Sequence, residues 1–157
     1  ELLKSRAFEI GDFLVNVRPL TLPEQELNQE VTYHDSCSGL RQLNIKQQPR
    51  ALLSQVKGVK ISEMEEAETC CGFCGTFCVK YPEISNRMVS NKTSNISASG
   101  APMLLGGDLG CLLNMAGKLS REGKPVHARH YIEILAGMTD TPAIGERSSD
   151  LAYEAGR

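Results

Sequence analysis

At 157 residues, with 41% hydrophobic and 23% charged residues, the chain has an ordinary globular composition and the length for one well-buried core. A formal charge of −2 and a pI near 6.0 show no excess of Lys or Arg, which argues against nucleic acid as a partner. The longest apolar run, residues 101–117, is broken by Asp108 and Asn114 and holds four glycines, short of the roughly 18 apolar residues a membrane span needs.

The chain opens on Glu1-Leu2-Leu3-Lys4-Ser5-Arg6, with neither an initiator Met nor the plan of a signal peptide, and reads as the interior of a longer protein. Phe8, Phe13, Leu14 and Val17 then recur near helical spacing until Pro19 and Pro23, predicting an amphipathic helix over about 5–17, partly separate from the main core. Residues 20–30 are polar and read as a linker. Val31-Thr32-Tyr33-His34 reads as a short strand, followed by the turn Asp35-Ser36-Cys37-Ser38-Gly39 and a helix over about 40–56.

A second strand is expected over 58–62, then an acidic loop over 63–68, the run Thr69-Cys70-Cys71-Gly72-Phe73-Cys74-Gly75-Thr76-Phe77-Cys78, and a helix around 83–94. A third strand over 102–107 leads through Asp108-Leu109-Gly110-Cys111 into a helix carrying Leu112, Leu113, Met115, Ala116 and Leu119, which stops near Gly123. Residues 125–128 read as a last strand and 130–137 as a short helix. From Met138 onward the chain is small, polar and expected to be flexible. Strands alternating with helices predict an α/β fold, a mostly parallel sheet flanked by helices on both faces. Its Cys-bearing loops fall at the carboxyl ends of the strands, where ligands bind in such sheets.

Six cysteines in 157 residues lie below the density of a disulfide scaffold and favour a reducing compartment, the cytoplasm, with metal or redox chemistry. Four of the six fall between residues 70 and 78, and Cys37 and Cys111 each sit in a Gly-containing turn. One reading is an iron–sulfur cluster held by Cys37, Cys70, Cys71 and Cys111, with glycines giving the cluster room. Structural zinc is a second, although only one Cys-x-x-Cys exists, Cys71 to Cys74. A thiol–disulfide centre on that pair is a third, and buried cysteines acting as small hydrophobes a fourth. Cys74 and Cys78 lie one helical turn apart if helical, and inward packing is the expectation for both. His34 is read first as a hydrogen-bonded strand-end histidine and second as a lining of the site, ahead of His127 and His130. The loop Gly106-Gly107-Asp108-Leu109-Gly110 lacks the Gly-x-Gly-x-x-Gly spacing of a dinucleotide turn and is read as a ligand loop.

The arrangement Cys37…Cys70-Cys71-Gly72…Cys111 resembles the cysteine-rich CCG domain found in heterodisulfide reductases, glycolate oxidase iron–sulfur subunits, anaerobic glycerol-3-phosphate dehydrogenases and the lactate-utilisation protein A group. Cys70-Cys71-Gly72-Phe73, Val79-Lys80-Tyr81-Pro82-Glu83-Ile84-Ser85, Gly110-Cys111-Leu112 and His130-Tyr131-Ile132-Glu133-Ile134-Leu135-Ala136 resemble that last group in particular, over residues 8–137. The resemblance implies an N-terminal helix and linker over 1–28, a CCG domain over 29–137 and a flexible tail over 138–157. It further implies a [4Fe–4S] cluster on Cys37, Cys70, Cys71 and Cys111, in a cytoplasmic electron-transfer subunit of a complex oxidising L-lactate to pyruvate. The implied partners are the other subunits and an N-terminal CCG domain of the same protein. Alternatives are a zinc or thiol–disulfide module, or a CCG subunit of glycolate or heterodisulfide type. No residue reads as a hydride acceptor or base for a hydroxy acid, so substrate oxidation falls to other subunits. Asn114 stands where many CCG domains place the second cysteine of a Cys-x-x-Cys, and Cys74 and Cys78 stand where close relatives carry glycine and a small residue.

Overall fold

The computed structural model describes residues 6–146. Four strands, β1 (Glu26–His34), β2 (Lys57–Ile61), β3 (Met103–Gly106) and β4 (His127–His130), form one sheet in the order β2-β1-β3-β4 with every pairing parallel. Two short helices, α2 (Cys37–Gln42) and α3 (Gln47–Leu53), connect β1 to β2. α4 (Phe77–Lys80) and α5 (Pro82–Ala98) connect β2 to β3, α6 (Leu109–Arg121) connects β3 to β4, and α7 (Tyr131–Leu135) follows β4. From β1 the chain winds outward to β2, and from β3 it winds the other way to β4. The strand order therefore reverses between β1 and β3, and the crevice that such a reversal opens lies beyond the carboxyl ends of those two strands.

Alternation along the strands sorts side chains onto two buried faces. Val31, Tyr33, Met103 and Leu105 pack with Leu52 and Leu53 of α3 and with Ile134 and Leu135 of α7. Leu104 and Ala128 point the other way and pack with Val89 and Ile96 of α5 and with Leu112, Met115 and Leu119 of α6. Cys71 and Cys111 belong to this second face. The register pairs Val31 with Met103 and His34 with Gly106, so β1 and β3 end level and deliver their following loops to one place.

Several expected boundaries are corrected. Residues 26–30 belong to β1 rather than to a linker: their polar side chains border solvent while the backbone pairs with β2. The single helix expected over 40–56 is two, because Asn44 takes a left-handed φ of 55° and turns the chain between α2 and α3. The predicted 5–17 helix is one α-helical turn, α1 (Ile10–Asp12), followed by a π-helical turn, Phe13–Val17. It is not separate from the core either, since Leu14 and Val15 pack against the first face and the Tyr131 hydroxyl donates to Glu9 at 3.2 Å. Residues 138–146 run back beside β4, where Arg129 donates to the carbonyls of Met138, Thr139 and Thr141 and where Ala143 is buried. The expectations for residues 1–5 and 147–157 lie outside the described residues. Among the described residues no helix is long and apolar enough to cross a membrane.

Candidate metal centre

The loops after β1 and β3 are built alike. Ser36 caps α2 by accepting from the Gly39 amide at 3.2 Å, and Cys37 is the first residue of that helix. Asp108 caps α6 by accepting from the Cys111 amide at 3.0 Å, which fixes Cys111 in the first turn, where the helix dipole favours a thiolate. Ser38 donates to Asp108 at 3.4 Å and ties the two loops across the crevice.

The third loop is anchored on both sides of its cysteines. The Asp35 amide donates to the Ala67 carbonyl at 3.2 Å. The buried Lys92 ammonium donates to the Glu66 and Ala67 carbonyls from α5. Burial pulls the Lys92 pKa below its ordinary value, while the thiols of Cys71 and Cys70 and the carboxylate of Glu66 pull it back up, so a cation stands near the sulfurs. Beyond the cysteine pair, Gly72 has φ +85°, and a Cβ there would lie 2.7 Å from the Ser85 carbonyl oxygen, so only glycine fits. Ser85 donates to the Gly72 carbonyl at 2.9 Å, and Asn114 donates to the Cys71 carbonyl at 2.9 Å. Gly110 clears space for the Phe73 ring, which a Cβ would approach to 2.5 Å.

These loops form two adjoining groups of ligand atoms, with all members of each group within 4.8 Å of one another. One is buried, His34 with Cys71 and Cys111; the other, Cys37 with Cys70 and Cys74, lies at the rim. The peptide bond between Cys70 and Cys71 joins them. Of the four cysteines read from the sequence, the structure thus brings Cys71 to Cys111 and Cys37 to Cys70. All six cysteines are free thiols. The neighbouring Cys111 thiol, then the His34 ring and the Phe73 amide, hold the Cys71 thiol well below its ordinary pKa against the opposing effect of burial. Cys111 moves the opposite way, raised by Cys71 and by burial. At the rim the Cys74 sulfur lies 3.0 Å from that of Cys70, and its pKa is pushed up to about 12 by Cys70 first, then by burial and by Cys37 and Cys71.

Three expectations change here. Cys74 is exposed, with a left-handed φ of 38°, and Cys78 is half-buried at the start of α4, its thiol donating to the Gly75 carbonyl at 3.2 Å; neither packs inward. The positive φ of Cys74 and Gly75 breaks the helical spacing assumed for them. The Cys71…Cys74 pair is divided between the two groups, so it forms no single zinc knuckle. His34, 1% exposed, has no hydrogen-bond partner at either ring nitrogen. The signal for it was the alternation of β1, which sets Thr32 and His34 opposite Val31 and Tyr33. His127 pairs with Glu146 at 2.5 Å and His130 caps α7, both away from the thiols.

A parallel α/β sheet whose reversal point gathers five thiols and a histidine defines a cysteine-rich domain with metal-ligand groups at its sheet edge. The family model for the CCG cysteine-rich domain matches residues 31–116, and the chain belongs to that family. Lactate utilization protein A of Oceanobacillus iheyensis is 45% identical over 133 residues, covering 85% of this chain and 54% of the relative. Lactate utilization protein A 2 of Bacillus cereus strain AH820 is 43% identical over 134 residues, 85% and 55% of the two chains. Lactate utilization protein A of Halalkalibacterium halodurans is 42% identical over 133 residues, 85% and 54%. The chain spans about half the length of the curated relatives it matches.

Proposed function

We propose that this chain is the CCG portion of an iron–sulfur electron-transfer subunit in a cytoplasmic complex that oxidises L-lactate to pyruvate. In this reading Cys37, Cys70, Cys71 and Cys111 hold a [4Fe–4S] cluster. The partners are the other subunits and the half of the protein that the longer relatives contain and this chain does not. The lactate assignment comes from the names of the relatives.

The observation that carries the metal reading is the gathering of soft sulfur donors from three loops at the reversal of strand order, around a buried histidine with unpartnered nitrogens. The donor set fits the group. Thiolates are the usual iron–sulfur ligands, Gly72 and Gly110 allow the close packing of the loops, and Lys92 places positive charge near an anionic centre. A bound cluster would supply one-electron transfer, at a potential set by amide hydrogen bonds and exposure. The chain's own contribution is to hold the sulfurs on capped helix starts, to close the inner side of the site with the α5–α6 core, and to leave Cys37, Cys70 and Cys74 toward solvent or a partner.

Anaerobic reconstitution with iron and sulfide, read by absorption and EPR, tests the proposal. An iron–sulfur chromophore is expected, lost in each of Cys37→Ser, Cys70→Ser, Cys71→Ser and Cys111→Ser and kept in Cys78→Ser. Zinc alone in the metal analysis, with no chromophore, would overturn it.

A further inference from the structure

We propose that His34 is itself a ligand of the metal centre, bound through a ring nitrogen beside Cys71 and Cys111; this deepens the iron–sulfur reading and rests on it. The imidazole is 1% exposed and neither nitrogen has a hydrogen-bond partner among the described residues. Leaving a polar group buried and unpaired costs about 1–3 kcal/mol, a cost that a core histidine avoids by bonding to a carbonyl or hydroxyl. His34 instead points into the face that carries the buried thiols. Thr32, two residues earlier on the same side of β1, also has an unpartnered hydroxyl oxygen, so the polar surface there is not satisfied by the protein alone.

The spacing agrees. One nitrogen and two sulfurs lie within 4.8 Å of one another. Ligands bound to one ion by bonds of about 2.0–2.3 Å at tetrahedral angles stand roughly 3.5–4 Å apart. The three atoms therefore have the separation of ligands sharing one metal ion. Each is also held where it is: His34 ends a central strand paired to Gly106, Cys111 is fixed by the Asp108 cap, and the Cys71 carbonyl is held by Asn114. Binding forms one nitrogen–metal bond from a ring lone pair of neutral imidazole, and the other ring nitrogen keeps its proton. No electron is transferred in that step. A neutral nitrogen among thiolates removes negative charge from the centre relative to a sulfur in its place, which favours the reduced state.

Pulsed EPR of the reconstituted 157-residue chain in its reduced state tests the assignment. The expected result is a strong coupling to a histidine nitrogen that changes with ¹⁵N-histidine labelling and is lost in His34→Cys, where iron is retained and the reduction potential falls. A chromophore with no such coupling, or with only the weak coupling of a hydrogen-bonded ring, would overturn the ligand role while leaving the iron–sulfur reading intact. If no chromophore forms, that reading fails, and Co²⁺ binding to the metal-free chain decides His34. Affinity at least about 10-fold weaker in His34→Leu, with altered thiolate–cobalt bands in His34→Cys, supports the assignment. Unchanged bands and affinity overturn it.

Discussion

Strand β1 presents a different kind of surface on each side. Toward α3 and α7, Val31 and Tyr33 enter an apolar layer whose polar neighbours are largely paired. Arg50 stacks on the Tyr33 ring and forks onto Asp35 at 2.9 Å through both terminal nitrogens, and the Tyr131 hydroxyl reaches Glu9. Arg129 bonds through both terminal nitrogens and leaves only its Nε unpartnered. Toward α5 and α6, Thr32 and His34 stand with unpartnered polar atoms beside two buried thiols. The difference separates burial that builds the fold from burial that awaits a ligand. Substitutions on the first side are expected to lower stability and spare the centre, and those around the thiols to do the reverse.

The largest effect is expected from Arg50→Met. It leaves Asp35, 3% exposed, as an uncompensated buried carboxylate, at a cost of about 3–5 kcal/mol in denaturant unfolding. The folded fraction should bind metal as before. Full stability with loss of iron would assign the Arg50–Asp35 pair to the site and break the comparison.

Gly72→Ala should cost about 1–3 kcal/mol, because alanine at φ +85° is strained and its Cβ meets the Ser85 carbonyl. It should also displace Cys70 and Cys71 and abolish metal binding, which iron analysis of the refolded chain would read. Unchanged iron content would mean that the third loop tolerates movement and that the thiols are not held there for a ligand.

Asn114→Ala probes the same loop more gently. Losing the bond to the Cys71 carbonyl should cost about 1 kcal/mol, while metal affinity falls about 10–100-fold, as for other groups that orient a ligand. A stability loss without any change in affinity would put Asn114 with the fold-building residues.

The sequence discloses the parallel α/β plan because its strands are apolar and its helices amphipathic, and it points to the thiols because they recur in glycine turns. It conceals what depends on tertiary surroundings. Residues 26–30 look like a linker because their polar side chains border solvent, although β2 pairs their backbone. Cys74 has the spacing of a helix and a backbone that forbids one. The face occupied by His34 follows from strand alternation, but its unmet nitrogens become visible only when α5 and α6 close over it. Asn44 is the readable exception, since asparagine is a common residue for the left-handed turn that ends a helix.

The smallest predicted effect lies at the far end of the α5–α6 layer, where Glu122 binds Lys124 at 2.7 Å and Lys118 at 3.1 Å and accepts from Thr93 of α5 at 3.1 Å. Lys124 first, then Lys118, with Thr93 adding to them against burial, hold its carboxyl down from 4.5 to about 2. A carboxylate with a depressed folded pKa adds stability that is fully present above 4.5 and is lost as pH falls toward 2. Glu122→Gln should therefore be slightly less stable than the parent chain at neutral pH, and the gap should close across that acid window. Thermal unfolding of both chains from about pH 7 down to about pH 2 would read it. Metal affinity at neutral pH should not change, because the clamp joins the ends of α5 and α6 remote from Cys111. A fall in affinity would show that the two helices act on the thiols as one rigid lever, and that the layer cannot be divided into a fold-building end and a ligand end.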